Sequence, residues 1–285
     1  MRFLQNDNEQ FDFLFSIAYK MTGNTMDSED IVQEVLEIWE RKEEKSAIVN
    51  EKKYLAKAIK NRTLSFLEHQ ERQKASYIGT FLPEPILKEA YKSIDNQFDL
   101  NFGWVVLLSK LSPTERAIFI LKESFDLTYE DLAEIFDFTE ENCRQLYHRA
   151  KEKVQANKNR FSPNPTQKMQ IALAFQSALT TGNLESLIDV LKKDIVVYSD
   201  GGGKRPSAIN PVIGNVNSAK FLLGLYGKFF EGLGRKIIST FINHCPSALV
   251  YEANNQTIET VLILDCTENQ VNDVFIIRNP EKIHT

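Results

Sequence analysis

Residues 127–154 read LTYEDLAEIFDFTEENCRQLYHRAKEKV, and their pattern decides the first half of the chain. Thr128, followed by Glu130 and Asp131, predicts a capped helix start. Leu132, Ala133, Ile135 and Phe136 give that short helix an inner face, and Phe136-Asp137-Phe138 forms the turn. Ala133 is small enough for close helix approach, and Asp137 tolerates a left-handed backbone better than most residues. Thr139 caps the next helix, with Glu140 and Glu141 at its start. A spacing of 3, 4 and 4 then predicts that Cys143, Leu146, Ala150 and Val154 are buried. Asn142, Arg144, Gln145, His148, Arg149 and Lys151 remain outside. Amides and Arg on one helix face suit major-groove base edges, with nearby cations for phosphates. An ordinary αα-hairpin with a polar face fits the same pattern. Cys143 reads as core, and His148 as a surface or phosphate-contacting residue, since no second metal ligand stands near it.

Outside this segment the charge is unevenly spread. The whole chain has 285 residues and a net charge of −5, which by itself speaks against a nucleic-acid binder. Yet eight acids fall between Asp27 and Glu44, seven bases between Lys52 and Lys74, and six bases between Arg144 and Arg160. Residues 161–285 carry 11 bases and 11 acids, so they are neutral. Such runs are also what solvated helix faces look like. Hydrophobic residues make up 42% of the chain, enough for sizeable cores. No apolar run is long enough to span a membrane, and no secretory leader is evident. Three scattered cysteines without a CxxC pair predict a reducing, cytoplasmic setting and no zinc site.

Residues 1–160 read as helical. Phe11–Met21 is apolar at helical spacing, and Ser28 is expected to cap a helix striped by Ile31, Val35, Ile38 and Trp39. A basic helix runs from about Lys52 to Lys74, then a proline-containing connector from Tyr77 to about Phe98, then helices again near Phe102. After the linker Ser162-Pro163-Asn164-Pro165 the pattern changes to helices, a strand at Ile195–Ser199, and four β-rich runs between Lys236 and Arg278. The runs predict a separate α+β domain with helices packed on a curved antiparallel sheet, its later turns at Asn254-Asn255 and Glu268-Asn269.

The order of parts resembles a bacterial extracytoplasmic-function (ECF) sigma factor. The resemblance rests on SEDIVQEVLEIW (28–39), YLAKAIKNRTLSFLEHQERQK (54–74) and LSPTERAIFIL (111–121) followed by the helix-turn-helix. YIGTFLPEP (77–85), SDGGGK (199–204) and NPVIG (210–214) are similar to the motifs of the subgroup that carries a fused SnoaL-like domain. The resemblance implies sigma domain two over 1–75, a linker over 76–101, sigma domain four over 102–160 and a SnoaL-like regulatory domain over 161–285. The fold class it implies is two all-α domains plus a cone-shaped α+β (NTF2-like) domain.

It also implies roles. Asp27, Asp30, Gln33, Glu34, Glu37 and Trp39 would dock on core RNA polymerase, a carboxylate-rich face for a basic partner. Lys57, Lys60, Asn61 and Arg62 would face the minus-ten promoter element, where strands separate. Thr139, Asn142, Arg144, Gln145, His148, Arg149 and Lys151 would read the minus-thirty-five element. Ser65, Glu68 and Glu71 make the minus-ten helix less basic than an autonomous DNA binder, so polymerase must supply part of the affinity. Phe81, Leu82, Pro83, Glu84 and Pro85, with Asp200, Gly201, Gly202, Gly203, Lys204, Asn210, Pro211 and the C-terminal tail, would form regulatory contacts of the last domain with the linker and with both sigma domains.

SnoaL-like domains share their fold with small isomerases and dehydratases, so an enzyme reading stands beside the regulatory one. Asp200 is the candidate base there, with His244 or Tyr198 as donor. No pair stands at a telling spacing, and the three glycines beside Asp200 also read as a tight loop. No catalytic residue, cofactor or metal is assigned, and a small ligand stays open. A ligand-sensing one-component DNA-binding regulator is the other alternative; the acidic helix at 27–39 distinguishes it, because a simple repressor has no use for one.

Overall fold

The structure, a computed structural model, describes residues 7–42, 48, 50–74, 77–98, 100–155, 165–229, 235–253, 256–267 and 269–284. The expected linker residues Ser162, Pro163 and Asn164, the Asn254-Asn255 turn, and Glu268 lie outside them. The chain divides into two compact units. One comprises Met1–Ala75, Ser93–Leu100 and Trp104–Asn157; the other comprises Ser76–Lys92, Asn101–Gly103 and Lys158–Thr285. Among the described residues no helix is long and apolar enough to cross a membrane.

The first unit is helical: α1 (Asp7–Thr22), α2 (Thr25–Glu40), α3 (Glu51–Lys74), α6 (Pro113–Phe125), α7 (Tyr129–Phe136) and α8 (Glu140–Gln155), with α4 (Glu89–Phe98) and α5 (Phe102–Leu108) running partly within it. α2 starts a turn earlier than expected. Its cap is Asn24, whose side chain accepts from Asp27 N, while Ser28 is fully buried and pairs with Thr22 Oγ1 at 2.8 Å. The connector also holds more helix than expected, since α4 occupies its second half.

α1, α3 and α6 share one core. Phe13 meets Phe125 edge-on at 4.9 Å, and Leu14, Leu55, Ile59 and Ile118 are fully buried. Arg116 of α6 crosses this core. Its guanidinium donates to Met21 O at 2.5 Å, Ser109 O at 2.8 Å and Leu111 O at 3.2 Å. Burial pushes its pKa down to about 10, so these carbonyls are what keep the charge tolerable there. Lys53 of α3 reaches α7, bonding Asp131 at 3.2 Å and also Glu134. The helices expected of sigma domain two and of the helix-turn-helix therefore pack together within one unit.

The second unit is α+β: α9 (Pro165–Thr180), α10 (Leu184–Val190), β1 (Leu191–Asp200), β2 (Val212–Ile213), α11 (Asn215–Phe229), β3 (Ile237–Ile242), β4 (Cys245–Tyr251), β5 (Ile258–Cys266) and β6 (Val271–Ile277), closed by a short 3₁₀ turn (Pro280–Lys282). The sheet order is β2-β1-β6-β5-β4-β3. It is not wholly antiparallel as expected: β1 pairs with β6 in parallel, Val197 opposite Val274. The two strands are joined by α11 and a three-strand meander, a crossover long enough to bring a parallel neighbour back. Phe175, Leu187, Ile195, Val197, Leu222 and Val274 fill the core between sheet and helices. β3 and β4 meet in a two-residue turn, Asn243 (φ 49°) and His244 (φ 57°), the left-handed pair that matches strand twist.

Candidate polymerase and promoter faces and the linker clasp

The helix-turn-helix is capped as its sequence predicts. Thr128 and Asp131 form a reciprocal capping box, Asp137 takes the left-handed conformation at φ 57°, and Thr139 Oγ1 accepts from Asn142 N at 3.2 Å. α8 buries Cys143, Tyr147, Ala150 and Val154. Tyr147 thus replaces Leu146 in the buried row. Its ring stacks on Phe119 at 5.8 Å and its hydroxyl donates to Glu123. Burial, then the Glu123 contact, pushes its pKa up.

On α8, Gln145 and His148 stand opposite the buried row, flanked by Asn142 and Arg149 on one side and Arg144 and Lys151 on the other. Thr139, Asn142, Arg144, Gln145, His148 and Arg149 are exposed, and Lys151 is half-buried over the Tyr147 ring. Glu141 holds Arg144 at 3.2 Å and Gln145 at 3.0 Å, contacts a DNA partner would have to displace. The neighbouring helix is anchored by Glu115, which binds Lys153 at 3.0 Å and caps through Ser112. Burial works to raise the Glu115 pKa, but the bonds from Lys153 and Ser112 outweigh it and hold it below the usual range.

The acidic helix α2 presents Asp30, Gln33, Glu34 and Glu37 to solvent, with Asp27 half-buried and the apolar Ile38 beside them. Trp39 departs from the expectation. It is only 5% exposed and packs on Tyr54 at 5.3 Å, so it braces α2 against α3 and is not part of the open face. On α3, Lys57, Asn61 and Arg62 share an exposed face and line a groove with Val35, Ile38 and Ser65. Arg62 reaches Glu34 at 3.3 Å. Lys60 is turned away from this group. Its ammonium lies 5.2 Å from the Phe136 ring of α7, and burial lowers its pKa.

In the second unit Asp200, at the end of β1, is fully buried and gathers four donors. Oδ1 accepts from Tyr77 Oη and from Gly202 N at 3.0 Å. Oδ2 accepts from Leu82 N at 2.9 Å and from Lys282 Nζ at 2.8 Å. Its carbonyl takes Arg278 N at 2.7 Å and Asn279 N at 3.0 Å. One side chain thus ties together the linker, the glycine loop and the C-terminal tail. Asn279 Nδ2 donates to Tyr77 Oη at 3.0 Å, and Lys282 donates to Leu82 O and sits 3.3 Å over the Phe81 ring. Leu82, Pro83, Glu84 and Pro85 are buried, while Phe81 is half-buried. Ile86 N donates to Asn243 Oδ1 at 2.9 Å, and Phe102 N to Asn243 O at 3.2 Å.

Each glycine of the loop has a steric reason. A Cβ on Gly201 would lie 2.1 Å from Arg205 O; Gly202 has φ +62° with Asn279 2.4 Å away; Gly203 has φ +70° and faces Ile78. Lys204 is ion-paired with Glu281 of the tail. Asn210 and Pro211 are exposed in the bend leading to β2. Tyr77 heads the YIGTFLPEP motif, whereas Asn279 and Lys282 lie in a tail that the short motifs did not single out by residue.

This geometry bears on the enzyme reading. A carboxylate with four donors has no lone pair free to take a substrate proton. His244 is in the hairpin turn with its carbonyl accepting from Lys168, and Tyr198 stacks on Phe275 at 5.5 Å. All three cysteines are buried, with Cys245 pushed up to about 12 by burial.

A helical unit with an acidic face, a basic face and a capped helix-turn-helix, on a chain that continues into an α+β domain, is the layout expected of an RNA polymerase sigma factor. Residues 10–73 match the Sigma-70 region 2 model, and residues 105–154 match Sigma-70, region 4. The chain is a homologue of extracytoplasmic-function sigma factors over most of its length. It is 29% identical over 227 residues, covering 77% of this chain and 72% of the relative, to ECF RNA polymerase sigma factor SigJ of Mycobacterium tuberculosis. The crystal structure of that SigJ superposes with a TM-score of 0.76 at 26% identity, covering 96% of this chain and 95% of the other. A probable ECF sigma factor SigI of the same organism is 33% identical over 93 residues, 33% of this chain and 32% of the relative.

Proposed function

We propose that the chain directs transcription initiation as a subunit of RNA polymerase in the cytoplasm, and that its C-terminal domain regulates it in cis through the linker. Asp30, Gln33, Glu34 and Glu37, with half-buried Asp27, form the docking face for core polymerase. Lys57, Asn61 and Arg62 meet the separated strand of the minus-ten element, joined by Lys60 once it leaves Phe136. Thr139, Asn142, Gln145, His148 and Arg149 enter the minus-thirty-five major groove, with Arg144 and Lys151 toward phosphates.

Distance gives the regulation a physical basis. The two promoter elements lie about 25 base pairs apart, on the order of 85 Å of duplex. Helices joined by Lys53–Asp131 cannot reach both at once, so α3 and α7 must separate. The linker of residues 76–101 spans at most ~90 Å when fully extended. With Tyr77 to Ile86 gripped around Asp200 and Asn243, much of that reach is withheld. The four-donor Asp200 clasp is the single observation that carries the regulatory reading.

The test is run-off transcription with purified core polymerase and full-length protein. Promoter-dependent transcript is expected from the wild type, and more from Tyr77→Phe, which loosens the clasp. No core binding and no transcript from either protein refutes the sigma reading. Equal yield from both refutes the regulatory one.

A further inference from the structure

The two edges of the sheet in the α+β unit differ. At one, β2 is two residues long. At the other, β3 runs six residues, Ile237–Ile242, with the sequence IISTFI. Sheet edges are ordinarily protected from other chains by shortness, proline, charge or a bulge. β2 is protected by its length. β3 holds no proline and no charge, and it pairs with β4 in unbroken register.

That pairing shows which backbone groups are left over. Tyr251 N donates to Lys236 O at 2.9 Å, and in an antiparallel ladder bonded pairs alternate with non-bonded ones. Ile238, Thr240 and Ile242 therefore bond β4, while Ile237, Ser239 and Phe241 turn their N–H and C=O outward. Among the described residues no backbone bond reaches those three from the outer side. Their side chains share one face of the strand. On it Ile237 and Phe241 are each 38% exposed, and Leu173 of α9, 55% exposed, stands beside Ile237.

An uncharged edge with outward N–H and C=O groups suits another strand, and β3 is complementary to itself. Laid antiparallel about a two-fold axis at Ser239, Ile237 stands opposite the partner's Phe241, Ser239 opposite the partner's Ser239, and Phe241 opposite the partner's Ile237. Every outward residue then meets an outward residue, with two backbone bonds to each of the three pairs. An axis at Ile237 or Phe241 leaves some of them unmatched. The Ile–Phe pairs are of the aromatic and β-branched kind that stabilises sheets. Lys236 falls opposite Ile242, so no like charges oppose each other.

We propose that β3 is a self-recognition edge, at which two copies of the chain join β3 to β3 about a two-fold axis at Ser239 and continue the sheet across an isologous contact. A contact of one strand with one strand is small, so the dimer is weak and depends on concentration. The proposal is independent of the regulatory reading above.

Sedimentation equilibrium of the full chain tests it. The wild type should shift reversibly from 32.7 kDa toward twice that mass as concentration rises. Ser239→Lys sets two ammoniums face to face at the axis and should raise the dissociation constant about tenfold or more. Ser239→Glu should do the same with two carboxylates. Mixed in equal amounts, the two variants should associate again, because opposite charges then meet. Ile213→Lys, at an exposed position on the β2 edge, should leave association unchanged. Circular dichroism checks that each variant is folded. A single monomeric mass up to about 0.5 mM, where even a weak contact is populated, overturns the proposal. So do dimers that Ser239→Lys leaves intact, dimers that Ile213→Lys abolishes, and a mixture of the two Ser239 variants that stays monomeric.

Discussion

Lys282 Nζ lies 2.8 Å from Asp200 Oδ2, and both side chains are almost wholly withdrawn from water. Removing one partner of such a pair strands the other. Lys282→Met should therefore destabilise the α+β unit by about 3 kcal/mol, the low end for a broken buried pair because three other donors still reach Asp200. Denaturant unfolding followed by circular dichroism measures it; a change below about 0.5 kcal/mol, the size of an ordinary surface substitution, would show the pair to be incidental.

The Tyr77 phenol gives the clasp an alkaline signature. Burial, then its hydrogen bond to Asp200, raises its pKa above the ordinary value of 10.0. A group raised on folding contributes stability that is fully present below its unfolded pKa and is lost as pH climbs above it. The stability advantage of wild type over Tyr77→Phe should accordingly hold at neutral pH and shrink above about pH 10. Chemical denaturation of both proteins between pH 7 and pH 11 checks the trend, and a constant difference contradicts it.

Gly202 has φ +62°, and a Cβ there would meet Asn279 Nδ2 at 2.4 Å. Gly202→Ala should cost roughly 1–3 kcal/mol and raise core-dependent transcription, because it displaces the Asn279 that holds Tyr77. A stable protein with unaltered transcription would separate the loop from regulation.

Helix α8 allows reading and packing to be told apart. Gln145→Ala and Arg149→Ala change exposed side chains. Each should leave the melting temperature within about 2 °C and cost about 1–3 kcal/mol of promoter discrimination at the minus-thirty-five element. Tyr147→Ala should instead cost about 3 kcal/mol of stability, since its ring is 5% exposed and stacked on Phe119. Melting curves beside transcription from minus-thirty-five variants distinguish the cases.

Lys53 joins α3 to α7 through Asp131 and Glu134 with its side chain 24% exposed. Lys53→Glu turns that contact repulsive. It should raise affinity for core polymerase by freeing α3 from α7, with about 1 kcal/mol or less of stability lost. Equilibrium binding to labelled core reads the effect; weaker binding would mean the packed arrangement is the competent one.

Local chemistry made the helix-turn-helix legible. Thr128 with Asp131, Asp137 at the turn and Thr139 all act within four residues, where sequence spacing is spatial spacing. The α+β class followed from the same kind of periodicity. What escaped was decided by tertiary packing. Ser28 looks like a cap but is buried one turn inside α2, Tyr147 outcompetes Leu146 because Phe119 offers it a ring, and Trp39 is taken up by Tyr54. The parallel β1–β6 pairing has no local signature, since β6 lies some 70 residues on. Asp200 was singled out as a candidate regulatory residue only through resemblance. Its partners Tyr77 and Lys282 are separated by 205 positions of sequence, and nothing in either neighbourhood announces the other.

If a core-dependent initiation factor is restrained by the grip of its own C-terminal domain on its linker, loosening that grip should release it. Run-off transcription by core polymerase with the wild type and with Tyr77→Phe at equal concentration tests it most directly. Specific transcript is expected from both, with the greater yield from Tyr77→Phe. Transcript no greater than from core alone, or yields that do not differ, would contradict it.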